Sequence, residues 1–259
     1  MSRPSFTSGS QAANHNASKL NPKLDGGLLA PAAILTTSAR LVLVVALLAV
    51  GAHAQIYSAA ADFSAATNTD TSRWSYRYNT TGTRDGNYLL LPNNGPSGST
   101  WYNWGEPNSL PMWFSQPNTV LCPCIGANKL TIPLVSNFGF GPIVGPPRSI
   151  LEHPSVTSDV GDTVLSFLVP KAGTVTVTFS FTDIDPYGGN GIDWYVDLNS
   201  GLAGDLYSGT VDSTPGHLST TGDKKFQIIV AEGDRLNFII DSNGNFDFDS
   251  TAMRAIIAY

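Results

Sequence analysis

Thr174-Val175-Thr176-Val177-Thr178-Phe179-Ser180-Phe181-Thr182-Asp183 is the stretch that decides the fold class. In an extended strand Val175, Val177, Phe179 and Phe181 point one way, and Thr174, Thr176, Thr178 and Ser180 point the other. One face is apolar and the other polar, the pattern of an antiparallel sheet with a core on one side and water on the other. Working outward, strand candidates recur at 163–169, 192–198, 225–230, 235–241 and 252–258, each bounded by Gly, Asp or Pro turns. Upstream, 73–78, 87–91 and 112–114 read as strands among Pro- and Asn-rich loops such as 92–99. The turns at 170–173 and 231–234 read as hairpin closures with Gly placed for positive φ. No helix longer than a turn or two is expected, and no internal repeat exists beyond the strand rhythm. The class expected is an all-β, antiparallel β-sandwich.

Near the start, Arg40 precedes an apolar run at 41–50, followed by Gly51-Ala52-His53-Ala54. The run is about ten residues, short of the roughly twenty that a membrane helix needs, and Ala52-His53-Ala54 fits a small-x-small cleavage site. A signal peptide over 40–54, cleaved after Ala54, is therefore expected. Residues 1–39 are Ser-, Asn- and Ala-rich and read as a disordered leader or a mis-called start. Residues 55–259 then form one domain, with no membrane span left after cleavage.

Charge narrows the partners. The whole chain carries a net charge of −6. Residues 1–54 hold Arg3, Lys19, Lys23, Arg40 and Asp25, so the remainder has 10 basic and 19 acidic residues, a net −9. A nucleic-acid partner is not expected of such a chain. Many Thr, Ser, Asn and Gly give a neutral-polar surface suited to sugars or other proteins outside the cell. Cys122 and Cys124 flank Pro123; a bridge across one residue is strained, so an internal disulfide and free or intermolecular thiols stand equally. Zinc is disfavoured, with no second Cys pair and only His153 and His217 beyond residue 54.

Several motifs carry a resemblance. Asp62-Phe63-Ser64 precedes Trp74-Ser75-Tyr76; His153-Pro154, the stretch 167–173 and Gly233-Asp234-Arg235-Leu236 follow, and then Asn243-Gly244-Asn245-Phe246-Asp247-Phe248-Asp249-Ser250-Thr251. Over residues 60–259 the chain resembles jelly-roll modules of secreted bacterial and algal proteins, which are similar to carbohydrate-binding modules. The resemblance implies a sandwich of jelly-roll type and a glycan or matrix polysaccharide as partner. The chain departs from that pattern in ending at Tyr259 without a sorting tail, and in the Cys122-Pro123-Cys124 segment.

Aromatic residues crowd between Trp74 and Phe114. Trp74, Tyr76 and Tyr78 alternate on a strand and read as core. Trp101, Tyr102 and Trp104 lie in a loop-like segment flanked by Gly98 and Gly105; with Trp113 they are the expected sugar contacts, since flat rings stack on pyranose faces and Tyr and Trp keep a polar tip. A second candidate is acidic: Asp183, Asp185, Asp241, Asn243, Asn245, Asp247 and Asp249. Alternating oxygen donors of this kind can wrap a structural calcium ion. The spacing departs from an EF-hand, with Gly244 fourth and Ala252 twelfth in the second run, and turn chemistry explains Asp and Asn equally well.

Catalytic signatures are lacking. Glu106, Glu152 and Glu232 are far apart, no Gly-x-Ser-x-Gly elbow occurs, and His153 beside Pro154 reads as a hydrogen-bonding histidine. Asn79-Thr80-Thr81 is a glycosylation sequon that a eukaryotic source alone would use. The reading is a secreted, non-enzymatic module that binds carbohydrate or extracellular matrix. The rivals are an adhesive surface protein that self-associates and a carbohydrate-active enzyme with an unrecognised carboxylate site.

Overall fold

The computed structural model describes residues 54–80, 84–96, 110–115, 123–138, 141–155, 161–185, 187–201, 204–213, 215–216 and 218–259. The expected leader and nearly all of the expected signal peptide lie outside them.

The described residues build an antiparallel β-sandwich. Strand β1 (Ile56–Ser58) leads into a single turn of helix, α1 (Ala59–Asp62), capped by the Ser58 side chain. There follow β2 (Trp74–Tyr78), β3 (Leu89–Leu90), β4 (Asn93–Pro96), β5 (Pro111–Phe114), β6 (Cys124–Asn128), β7 (Leu134–Phe138), β8 (Gly141–Gly145) and β9 (Ser149–His153). The remaining strands are β10 (Thr163–Leu168), β11 (Gly173–Asp183), β12 (Ile192–Leu198), β13 (Tyr207–Val211), β14 (Lys224–Val230), β15 (Arg235–Asp241) and β16 (Thr251–Ala258). One sheet runs β14-β11-β16-β9-β6-β5-β4, with β1 also paired to β16; the other runs β13-β12-β15-β10-β2-β3. A separate hairpin, β7-β8, brings Ile143 onto Leu151, Met112, Phe114 and Ala252 on the outer side of the first sheet.

The alternation in β11 is realised as read: Val175, Val177, Phe179 and Phe181 are wholly buried. Phe179 sits at the centre of the core, with ring centroids of Trp194, Phe181, Phe238, Phe226 and Tyr207 between 5.7 and 6.1 Å away. Such tilted and edge-on pairs are favoured over flat sandwiches and add to area burial. Trp74 packs on Phe167 at 4.8 Å, so the alternating aromatics of β2 line the interior as well.

Two expectations about turns change. The segments at 170–173 and 231–234 do not close hairpins: β10 and β11 lie in different sheets, as do β14 and β15. They are arches, held to each other by Val169 N donating to Asp234 O (2.8 Å) and Gly233 N donating to Val169 O (3.0 Å). The steps from β10 to β11 and from β14 to β15 thus cross from one sheet to the other, as in a jelly roll. Among the proline- and asparagine-rich residues expected as loop, Asn93–Pro96 pairs with β5. The strands at Cys124–Asn128, Ser149–His153 and Tyr207–Val211 were not legible: the first two are buried throughout and the third is mostly exposed, so none shows a period of two.

Candidate functional site

Two polar constellations stand out, and both grow from strand register. The first lies on the outer face of the β13-β12-β15-β10-β2-β3 sheet. Asp193 is the register partner of Asp241, and Tyr195 that of Ile239, which in turn neighbours Val164 and Arg77 along one cross-strand row. Because side chains alternate, these residues face away from Trp194, Ile240 and Phe238 in the core. The segment 84–88, ahead of β3, lies over this face. From it Tyr88 packs on Val164 and Ile239, and the guanidinium carbon of Arg84 lies 3.5 Å from the ring centroid of Tyr195. Arg84 also forms an ion pair with Asp205.

The electrostatics of this face are uneven. Burial, and then the Asp205 carboxyl beside it, push Asp197 up to about 7; the Tyr88 hydroxyl, which donates to Asp197 Oδ2 at 3.5 Å, and Arg84 pull the other way. Burial and then Asp241 raise Asp162 to about 6, while Asn79 and Arg84 oppose this. Asp193 is raised by burial and by Asp241, and Arg84 again opposes. One guanidinium thus serves several carboxylates around one half-buried tyrosine. Such a face offers carboxylate acceptors and a guanidinium donor held over an aromatic ring.

The second constellation lies inside, at the end of the sandwich where β11 leaves and β16 begins. Thr251 is the register partner of both Asp183 on β11 and Glu152 on β9. All three are buried, on the same inward face as Phe181, Met253 and Ile150 one step along. Two arches, described at 184–185, 187–191 and 242–250, meet over this end. Ile184 N donates to Ser250 O (2.9 Å), Ser250 N to Asp185 Oδ2 (2.7 Å), and Asp185 N to Asp183 Oδ1 (2.9 Å). These bonds draw Asp183, Asp185 and Asp249 together, with relative exposures of 3 %, 2 % and 1 %. Asp183 Oδ2 and both oxygens of Asp249 are buried without a hydrogen-bond partner, as are both oxygens of Glu152. Asp249 is pushed up to about 9, by burial first and then by the charges of Asp183, Asp185, Asp247 and Asp241. Asp183 rises to about 6 and Asp185 also rises, again chiefly through burial. Burial alone holds Glu152 well above the carboxylate range.

The expected acidic set therefore divides. Asp183, Asp185 and Asp249 converge; Asp241 turns to the outer face beside Asp193; Asn243, Asn245 and Asp247 are exposed. Turn bonding accounts for part of the run: Asp241 Oδ1 accepts from Asn243 N (3.1 Å) and Asn245 Oδ1 from Asp247 N (3.2 Å). Among the described residues no three His, Cys, Asp or Glu side chains are arranged as a ready-made metal cage.

Of the expected sugar contacts, Trp101, Tyr102 and Trp104 lie outside the described residues. Trp113 is placed differently from its expectation. It is 7 % exposed, stacks on Tyr76 at 6.2 Å and 17°, and donates from Nε1 to Ser64 O at 2.7 Å. Its polar tip is bonded and its faces are packed, so it belongs to the core. The outer-face residues Arg84, Tyr195, Asp193, Asp162 and Asp205 were not singled out from sequence; the alternation Asp193-Trp194-Tyr195-Val196-Asp197, polar on one side of a strand, is the signal that was available.

Other chemistry-bearing residues settle into structural roles. His153 is buried, bonds through Nδ1 to Pro154 O (2.7 Å), and is lowered to about 4 by burial. Cys124 is buried, and Cys122 lies outside the described residues. Asn79 of the sequon is fully buried and donates to Asp162, so the folded protein offers it to no glycan-transferring enzyme. A surface cavity of about 230 Å³ near Ser180, Thr182, Asp223 and Arg254 is lined without any aromatic residue.

No family model and no curated protein matches the chain. Solved structures do match. Dimeric latent PorU from Porphyromonas gingivalis is 11 % identical with a TM-score of 0.26, over 38 % of this chain and 10 % of that one. CBM51 from Clostridium perfringens, solved in complex with methyl-galactose, is 12 % identical with a TM-score of 0.28, over 66 % of this chain and 95 % of that one. The K3 cleaved adhesin domain of Lys-gingipain, also from P. gingivalis, is 15 % identical with a TM-score of 0.30, over 70 % and 98 %. The chain thus spans about a tenth of PorU. At these scores the likeness decides nothing about what this chain does. Among the described residues, no helix is long and apolar enough to cross a membrane.

Proposed function

We propose that the domain is a secreted, non-catalytic module that binds a glycan on the outer face of the β13-β12-β15-β10-β2-β3 sheet. The observation that carries the reading is the Arg84 guanidinium stacked on Tyr195 beside the register pair Asp193 and Asp241. Asp193 and Asp241 accept from sugar hydroxyls, and Arg84 donates from the position over the Tyr195 ring in which that ring holds it. The sheet fixes Asp193, Tyr195 and Asp241, and the ion pair with Asp205 holds Arg84, so little ordering entropy opposes binding. Glu152, a candidate for carboxylate chemistry, is enclosed in the interior and out of reach of a polysaccharide.

The test is a glycan array with the full chain, followed by calorimetry on any hit. Selective retention that falls at least tenfold in Asp193→Asn and in Tyr195→Ala, with Tm held within a few degrees, supports the reading. Retention that survives both substitutions moves the site elsewhere. Release of reducing ends from the bound polysaccharide overturns the non-catalytic part.

A further inference from the structure

We propose that the arch end of the sandwich is a structural calcium site, with Asp183, Asp185 and Asp249 as its protein carboxylates. The inference is independent of glycan binding. Its first support is register and hydrogen bonding: Asp183 pairs with Thr251 across the β11-β16 ladder, and Asp185 is tied to Ser250, so residues more than sixty positions apart meet beneath two arches. Its second support is the state of the oxygens. Asp249 is 99 % enclosed by its 1 % relative exposure, yet neither carboxylate oxygen has a hydrogen-bond partner; Asp183 Oδ2 is in the same condition.

A buried carboxylate without donors is costly unless a charge of opposite sign meets it. Among the described residues, the charges that act on Asp249 are all carboxylates, those of Asp183, Asp185, Asp247 and Asp241. Protons are one remedy, a cation the other. The donors are all hard oxygens, which excludes the thiolate- and imidazole-seeking metals and leaves calcium or magnesium. Calcium is favoured because the arches can supply an irregular shell of six to eight oxygens, from the carboxylates, arch carbonyls and water, whereas magnesium demands a near-ideal octahedron. The three side chains do not form a closed cage by themselves, so arch carbonyls and water complete the shell and couple the ion to arch stability.

The experiment uses the full chain, cleared of divalent ions with EGTA, at pH 7.5. Thermal melting is followed with ~10 mM calcium chloride, with magnesium chloride at the same concentration, and with neither; calorimetric titration with calcium chloride runs in parallel. The expected result is one site with Kd of about 10⁻⁴–10⁻³ M or tighter, a Tm rise of several degrees with calcium, and a smaller rise with magnesium. Asp249→Asn removes the charge but keeps the shape, so it melts above the ion-free parent and loses both the heat and the calcium-dependent rise. Asp223→Asn, an exposed carboxylate paired with Arg254, keeps them. No heat and no rise in the parent overturns the proposal, and so does a calcium response that persists in Asp249→Asn. A rise in the ion-free Tm on acidification to pH 5, equal to that given by calcium and not increased by it, assigns the remedy to protons and also overturns it.

Discussion

Arg84 lies with its guanidinium carbon 3.5 Å from the ring centroid of Tyr195 while it ion-pairs with Asp205, and it is the cation that offsets Asp197, Asp162 and Asp193 on that face. Replacing it with Met keeps apolar cover over the ring but removes the charge. The expected loss is about 1–2 kcal/mol at pH 8, from the cation–π contact and the ion pair. The loss shrinks toward pH 5, because Asp197 without Arg84 holds its proton still more firmly in the folded state. Urea unfolding at the two pH values checks this; an equal loss at both would remove Asp197 from the account.

Asp197 gives a pH dependence of its own. Its folded value is raised from 3.8 to about 7, so between those values the folded chain holds a proton that the unfolded chain has released. Stability from this group is full below pH 3.8 and is lost as pH rises through about 7. Asp197→Asn flattens that part of the profile: its Tm matches the parent near pH 4 and exceeds it at pH 8 by about 2–4 °C for each kcal/mol recovered. A lower Tm at pH 8 would mean that Arg84 depends on the charged form.

Trp113 separates packing from ligand contact. With its ring stacked on Tyr76 and its Nε1 bonded to Ser64, Trp113→Ala costs about 3–5 kcal/mol in denaturant unfolding. Trp113→Phe keeps most of the packing and loses the bond, for about 1–2 kcal/mol. An Ala variant that unfolds with the parent would return this residue to the surface role that its neighbours in sequence suggest.

Two glycines test where backbone freedom is required and where space is. Gly191 has φ +74°, and a Cβ there would lie 2.1 Å from Val211 O, at the point where β12 and β13 begin to pair. Gly233 has φ +88° with nothing within 4 Å of a Cβ. Gly233→Ala is expected to cost about 1 kcal/mol from backbone strain alone, and Gly191→Ala roughly 3 kcal/mol or more, since the β13 backbone must move. Equal losses on thermal unfolding would show that the β13 edge yields freely.

Strand content was legible wherever one face is apolar over several residues. Gly173–Asp183, Ile192–Leu198 and Arg235–Asp241 agree with their reading to within a residue, because burial on one side leaves a period of two in the sequence. Cys124–Asn128 and Ser149–His153 left no such trace. All their residues are buried, on the inner face by the opposite sheet and on the outer face by the β7-β8 hairpin, so no polar alternation marks them.

The acidic residues show the same limit at the site. That 183–185 and 241–249 are rich in oxygen donors is a local fact, and sequence alone supplied it. Which of them meet is decided by the β11-β16 register: Asp183 and Asp249 arrive at one buried point because Asp183 faces Thr251, while strand parity sends Asp241 to the opposite side, toward Asp193. Sequence periodicity reports which face of its own strand a residue occupies. It carries no information on which strand lies alongside or which sheet lies beneath, and those non-local pairings settled the burial of Trp113, the place of Arg84 over Tyr195 and the convergence of the buried carboxylates.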